Sequence, residues 1–372
     1  MQSLLPVTLL AGLAEETRAT VAHNLLRSAA AGTVLIEYDV TAMSGGTVIR
    51  IARTTSGVID REVIEMGHPC VSCAMRASLV PVLVSIAATD KYGAVLVSIP
   101  AAGDPQALAE EIAAEAADEL RVDAVITVLD GSTFVADMSG EDLLQDRDIP
   151  TAAEDGRAVA EVLARHVEYA NALIVDDPAA TALARAINPH ALIHTTRTAA
   201  SLLGLRLHDP DTAETWVEPG STCAPLNDEG DVRTLVWQAD RPFHPQRLFD
   251  ALEDIVAGTA RGKGTVWLAS QPSNRLGWDS FGASIAIGVL GPWLADLPAE
   301  RWSEVGESHQ ARALFEWHPE HGDRASYLSI TGAGLDTGEL RELLDGCLLR
   351  RDEWISDLAD PFAPYLEGSN AA

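Results

Sequence analysis

The chain has 372 residues, which at roughly 100–200 residues per domain predicts two domains. With 47% hydrophobic and 22% charged residues, each half has apolar surface for its own core, which excludes a disordered or fibrous chain. The 26 Lys+Arg stand against 55 Asp+Glu, a net charge of −29 whose field repels phosphate backbones and argues against direct nucleic-acid binding.

The four cysteines are too few for a disulfide framework, and two of them form Cys70-Val71-Ser72-Cys73. In a reducing compartment that pair reads as metal or redox chemistry. No segment approaches the roughly 18–20 continuous apolar residues of a membrane helix. Met1–Leu13 is apolar but lacks a basic leader and a cleavage site, so it reads as a buried strand. A soluble, cytoplasmic protein with no membrane contact is expected.

In chain order the pattern predicts strand 7–12, helix 19–30, strand 33–38, a helix over 76–88 after the cysteine pair, and strand 94–100. Helix 105–120, strand 124–130, helix 157–168, strand 172–175, helix 178–187 and strand 191–194 follow. Strands alternating with helices of this length give βαβ units, hence an α/β fold with a mostly parallel sheet and helices on both faces. Residues 214–231, rich in Pro, Gly, Asp, Glu and Ser, read as a linker between a first domain at 1–213 and a second at 232–356, with a tail at 357–372. In the second domain strands are predicted at 233–238, 265–269, 283–289, 311–318 and 326–331, with helices at 245–257 and 337–348. That mixture predicts a smaller α+β domain.

The first strand–turn–helix stands where a phosphate-binding loop would, but it reads Gly12-Leu13-Ala14-Glu15-Glu16-Thr17-Arg18-Ala19-Thr20. A P-loop needs glycines whose amides close around phosphate, a Lys for the β/γ-phosphates and a Ser/Thr for Mg²⁺. Only Gly12 survives. Glu15 and Glu16 place carboxylates where a polyphosphate would lie, and Arg18 and Ala19 take the Lys and Mg²⁺-ligand positions. The sequence thus predicts that nucleotide does not bind. A GK pair, in Gly258–Thr265, is one residue short and leads into a strand, so it is dismissed as a phosphate site.

Several segments nevertheless add up in order. Arg241-Pro242-Phe243-His244-Pro245-Gln246-Arg247-Leu248, Lys263-Gly264-Thr265-Val266-Trp267-Leu268-Ala269, Gly291-Pro292-Trp293, Asp104-Pro105, Asn188-Pro189-His190-Ala191 and the run Glu65 to Leu79 are all similar to segments of one family. The chain resembles the CobW-type family of P-loop metallochaperone GTPases over nearly its whole length. The resemblance implies a P-loop NTPase-like first domain and a CobW C-terminal-like second one. It also places the family's switch-II Glu-x-x-Gly on Ser98-Ile99-Pro100-Ala101 and its guanine-reading Asn-Lys-x-Asp on Asp176-Asp177-Pro178-Ala179. None of the three nucleotide elements keeps its chemistry, so the resemblance predicts a scaffold without GTP turnover, a non-enzyme, or a GTP hydrolase if active after all.

The family's Gly-Cys-x-Cys-Cys motif falls on the cysteine segment, with Ser72 in place of the middle Cys. Zinc takes three or four ligands in tetrahedral array. Cys70 and Cys73 can converge from one turn, His68 lies two residues earlier, and Glu37 matches the Glu of the family's Asn-Glu segment, with Glu65 a further carboxylate. An inert packed pair and a redox pair remain alternatives. Cys347, in the run Leu343, Leu344, Cys347, Leu348, reads as core, as Cys223 does not read as a ligand. His244 reads as a helix cap with Pro245 behind it, and His318 and His321 as a solvated turn. Glu110, Glu111, Glu115, Asp118 and Glu119 read as a solvated acidic face. Within the family the resemblance is strongest to an actinobacterial branch that recruits a ribosome hibernation-promoting protein when zinc is scarce. It implies a hibernation factor or a basic ribosomal protein as partner. A GTP-dependent zinc metallochaperone serving a client protein is the alternative.

Overall fold

The computed structural model describes residues 4–67, 70–149, 152, 155–217, 220, 221, 228–350, 352, 353 and 358–366. Contacts divide the chain into two units, Met1–Glu214 and Thr215–Ala372.

The first unit runs β1 (Leu5–Ala11), α1 (Glu15–Ser28), β2 (Thr33–Asp39), β3 (Thr47–Thr54), β4 (Gly57–Glu65), α2 (Val71–Ala88), β5 (Ala94–Ser98), α3 (Pro105–Glu115) and β6 (Leu120–Val128). It continues with α4 (Phe134–Met138), α5 (Val159–Glu168), β7 (Ala172–Ile174), α6 (Pro178–Ile187), β8 (Leu192–His194) and α7 (Pro210–Val217), the last crossing the division. The sheet order is β4-β3-β2-β5-β1-β6-β7-β8, parallel except where β3 joins β2 and β4 joins β3. The central strands are buried almost end to end, as a parallel sheet covered by helices requires. Under α1, Leu10, Leu35, Leu96 and Ile126 from four neighbouring strands meet Val21, Ala22 and Leu25 of the helix.

The β3–β4 hairpin is an element the sequence reading passed over. Its two strands are joined by the two-residue turn Thr55-Ser56 ahead of Gly57, whose φ is +131°, and β3 alternates in burial, with Val48, Arg50 and Ala52 buried and Ile49, Ile51 and Arg53 half-buried. Along β4 only Ile64 is half-buried. Helix α2 starts five residues earlier than the pattern suggests. It has 18 residues and a mean hydropathy of 1.8, so by length and composition it could cross a membrane, which corrects the expectation that no segment comes near. Half of it is buried in this unit, where Leu79, Leu83 and Ile86 pack inward.

The second unit comprises β9 (Val232–Ala239), α8 (Pro245–Asp250), α9 (Leu252–Val256), β10 (Arg261–Val266), β11 (Asn274–Phe281), β12 (Ser284–Pro292), α10 (Glu307–Glu316), β13 (Ser326–Ala333), α11 (Thr337–Cys347) and α12 (Ala363–Leu366). Its sheet is antiparallel throughout, in the order β12-β11-β10-β13-β9. The α+β reading holds. The core gathers Trp237, Phe243, Leu248, Trp278, Leu328, Leu344 and Cys347, so Cys347 is core as expected. His244 caps α8, accepting the Arg247 amide at 3.4 Å, with Pro245 at the first helical position and Phe243 stacked on Trp237 beneath. The discounted GK pair lies inside β10, where a Cβ on Gly264 would sit 1.9 Å from the Tyr327 carbonyl, so this glycine serves strand pairing.

One prediction fails outright. Residues 311–318, predicted as a strand, lie mostly in α10. Burial explains it: His309 and Ala313, one helical turn apart, face inward, while Leu314 and Phe315 are 74% and 91% exposed. The His318 and His321 rings stack 3.9 Å apart.

Candidate metal centre and the first strand–helix turn

In open α/β sheets ligands sit outside the carboxyl ends of strands where the winding reverses. Here that place lies between β1 and β5, the chain leaving β1 toward β2 and leaving β5 toward β6 on the other side. Arg18 fills it. Its side chain projects from the first turn of α1, is 5% exposed, donates from Nη1 to the Gly12 carbonyl and from Nε to Ser98 Oγ at 3.3 Å. Burial pulls the guanidinium down to about 10, with Glu15 and Glu37 working against that fall. The cation at the lysine position is therefore turned back onto the loop, with two of its hydrogen bonds made to the chain.

The surrounding residues have equally local duties. Gly12, at φ +143°, lies against the Val128 carbonyl, which a Cβ there would approach to 2.4 Å, so sheet packing alone requires this glycine. Glu15 and Glu16 are exposed in the first turn of α1, where carboxylates favour the helix dipole. Ala19, half-buried, has no oxygen for Mg²⁺. Thr17 Oγ1 donates to Asp130 at 3.3 Å. Ser132, chiefly, and Thr17 hold the Asp130 carboxyl below the usual carboxylate range against the small opposing effect of burial.

The remaining two nucleotide elements are also structurally occupied. The stretch Ser98–Ala101, set against the family's switch motif, and the two residues after it are pinned at three points. Arg18 holds Ser98, Arg157 Nη2 donates to the Ala102 carbonyl at 3.0 Å, and His166 Nε2 donates to the Gly103 carbonyl at 2.8 Å. Sequence reasoning missed Arg157 and His166, since both act on a loop more than fifty positions away. Asp177 caps α6, accepting the Ala180 amide at 2.8 Å ahead of Pro178, and Asp176 accepts the Thr196 amide at 3.2 Å.

The cysteines meet at the start of α2. Cys70 is the N-cap, and its Sγ accepts the Cys73 amide at 3.3 Å. The Cys73 thiol is pushed up first by its hydrogen bond to Cys70, then by burial and by repulsion from a Cys70 thiolate, while Arg76 pulls it down. Both side chains are half-buried and free of disulfide. Two sulfurs sharing a proton suit displacement of that proton by a soft metal ion, and they supply two of the four corners zinc wants. The structure brings Cys70 and Cys73 together. His68 lies outside the described residues. Glu37, on β2, is engaged elsewhere: its carboxylate lies 2.8 Å from Arg53 Nε and 3.0 Å from His23 Nε2. Glu65 ends β4 and is exposed. Among the described residues no three His, Cys, Asp or Glu side chains converge on one point.

Comparison with known proteins adds to this geometry. Residues 31–188 match the CobW/HypB/UreG nucleotide-binding domain, a match that begins beyond the first turn, and residues 232–348 match the cobalamin synthesis protein cobW C-terminal domain. A Mycobacterium tuberculosis protein described as a zinc chaperone is 29% identical, with 97% of this chain and 93% of that protein aligned. A Dictyostelium discoideum zinc-regulated GTPase metalloprotein activator is 25% identical over 93% of this chain and 80% of its own. A Zn(II)-bound YjiA GTPase from E. coli aligns at 14% identity and a TM-score of 0.37, covering 93% of this chain and 100% of the other. With the two characteristic domains following one another along a single chain, this protein belongs to the CobW-type family.

Proposed function

We propose that this chain is a zinc-linked regulatory adaptor that works in the cytoplasm without GTP turnover. The observation that carries the reading is the Arg18 guanidinium, buried over the first turn with its donors on Gly12 and Ser98. A nucleotide would have to displace it and meet Glu15 and Glu16, and the pinned Ser98–Gly103 segment supports a site that does not switch. Titration with a fluorescent GTP analogue and Mg²⁺ tests this: no saturable binding is expected up to about 100 µM, whereas micromolar, Mg²⁺-dependent binding would refute it.

In this reading Cys70 and Cys73 hold zinc, and the metal state governs recruitment of a ribosome hibernation-promoting factor or a basic ribosomal protein. The net charge of −29 supports a basic protein partner rather than RNA or an anionic membrane surface. Changing both cysteines to Ser is expected to abolish the zinc found by elemental analysis of purified protein. In a pull-down from zinc-starved cells the unaltered chain should retain a hibernation factor or ribosomes. Unchanged zinc content would remove the proposed site, and recovery of neither partner would remove the adaptor role. The names of the two relatives favour a second reading, a GTP-dependent zinc metallochaperone for a client protein. The same nucleotide titration separates the two.

A further inference from the structure

We propose that the open edge of β4 is the seam of a two-fold dimer, in which a second copy of this chain adds its own β4 antiparallel and joins the two sheets into one. The inference rests on neither zinc nor nucleotide. β4 ends the eight-stranded sheet and, among the described residues, pairs with β3 alone. Sheets usually blunt such an edge with Pro, Lys or a covering element. Residues 60–65 contain neither Pro nor Lys, and Val58 and Val63 are 58% and 50% exposed. The register shift between Ala52 and Arg53 puts a bulge at Ile59, which leaves residues 60–65 as the regular run.

The direction of the backbone groups along this run follows from one hydrogen bond. Met66 donates its N–H to the Gly46 carbonyl at 2.7 Å, toward β3. Direction alternates along a strand, so Ile64 and Glu62 turn their N–H and C=O the same way, and Arg61, Val63 and Glu65 turn theirs to the open side. Those three side chains share one face, Val63 beside Ile49 of β3 and Arg61 beside Ile51. Glu62 lies on the other face, its carboxylate 2.7 Å from Arg50 Nη1.

A two-fold axis perpendicular to the sheet sets one residue opposite its own copy, and that choice fixes every other pair. Centred on Arg61, two guanidiniums meet and Asp60 faces Glu62. Centred on Glu62, two carboxylates meet. Centred on Ile64, Glu65 is set against Val63. Centred on Val63, no like charges face each other: Arg61 lies opposite Glu65 twice, on either side of the paired valines, and Glu62 lies opposite Ile64. Arg61 and Glu65 are both exposed and available to such a pairing. Opposed opposite charges and opposed β-branched residues each stabilise a sheet. Ile49, Val63 and their copies then form one apolar row across the seam, and the outward amides of Arg61, Val63 and Glu65 meet the outward carbonyls of the second copy. This self-complementarity is what selects a second copy over a foreign strand. The net charge of −29 opposes association. At physiological salt the screening length is about 8 Å, so contacts about 5 Å apart across the seam are weakened less than the long-range repulsion.

Sedimentation velocity of the full chain at physiological salt under reducing conditions, from about 5 to about 300 µM, is expected to show a reversible monomer–dimer equilibrium. Arg61→Glu and Glu65→Arg each set like charges opposite twice per dimer and should weaken it about tenfold. The double swap, Arg61→Glu with Glu65→Arg, restores both ion pairs and should recover the affinity of the parent. Mild oxidation of Val63→Cys should crosslink the dimer, because residues opposed in a hydrogen-bonded pair stand about 5.5 Å apart, within reach of a disulfide. Val58→Cys, more exposed but beyond the bulge, should crosslink no faster than the parent. A chain that stays monomeric throughout, or single charge variants of unchanged melting temperature that dimerise like the parent, would overturn the seam. So would a double swap that recovers nothing, or Val58→Cys crosslinking as fast as Val63→Cys.

Discussion

Acidification from pH 7 to about 4.5 is expected to remove roughly 2–3 kcal/mol of unfolding free energy through His166 alone. This side chain on α5 is 1% exposed, donates Nε2–H to the Gly103 carbonyl and leaves Nδ1 without a partner among the described residues. Burial drops its pKa from 6.5 to about 4, the Gly103 hydrogen bond and Asp104 opposing and Arg18 and Arg157 assisting. Between those two values the unfolded chain binds the proton and the folded chain does not. The stability that comes from keeping the ring neutral is thus complete above about pH 6.5 and is lost as pH falls through about 4. Each pKa unit is worth about 1.4 kcal/mol, so the full gap is worth about 3 kcal/mol. Urea unfolding at both pH values, on the parent and on His166→Gln, isolates this contribution from titrating carboxylates. Gln keeps an N–H for Gly103 but has nothing to titrate. Equal losses in the two proteins would show that His166 is not the group.

Gly12→Ala is expected to cost about 3 kcal/mol or more of stability. Two penalties combine: an L-residue at φ +143° is strained by about 1–3 kcal/mol, and the new Cβ would meet the Val128 carbonyl at 2.4 Å. Because that oxygen belongs to β6, relief requires β1 and β6 to separate or the turn to reshape. The turn is held by Arg18 through the Gly12 carbonyl, so reshaping loosens the buried guanidinium as well. Chemical denaturation measures the effect, and a change below about 1 kcal/mol would mean that the turn yields freely. The result bears on function: the one glycine surviving from the phosphate loop is retained by packing and needs no phosphate to explain it.

The candidate sites were legible to unequal degrees. Cys70 and Cys73 declare themselves by spacing, because a C-x-x-C pair spans one turn wherever it falls. The loss of the Mg²⁺-ligand hydroxyl and of the guanine-reading donors was equally plain, since Ala19 has no oxygen on its side chain and Asp176 and Asp177 have no N–H there, whatever their surroundings. Glu37 was a different matter. Its match to a family position said nothing of Arg53 and His23, which reach it only because β3 folds back on β2 and α1 lies nearby. The open edge of β4 was not legible either, because the sequence reading passed over the hairpin that carries it.

By itself the sequence determined the alternation of strands and helices, the division into a parallel-sheet half and a smaller α+β half, and the chemical poverty of the nucleotide loop. These follow from periodicity and from which atoms a side chain possesses, both local properties. Only the tertiary structure decided where Arg18 points, which carbonyls Arg157 and His166 hold, and that β4 ends its sheet. Those depend on contacts between residues far apart in the chain, and burial there sets both charge state and unmet hydrogen-bonding capacity. No window of sequence contains that information, because the partners come together only when the sheets form.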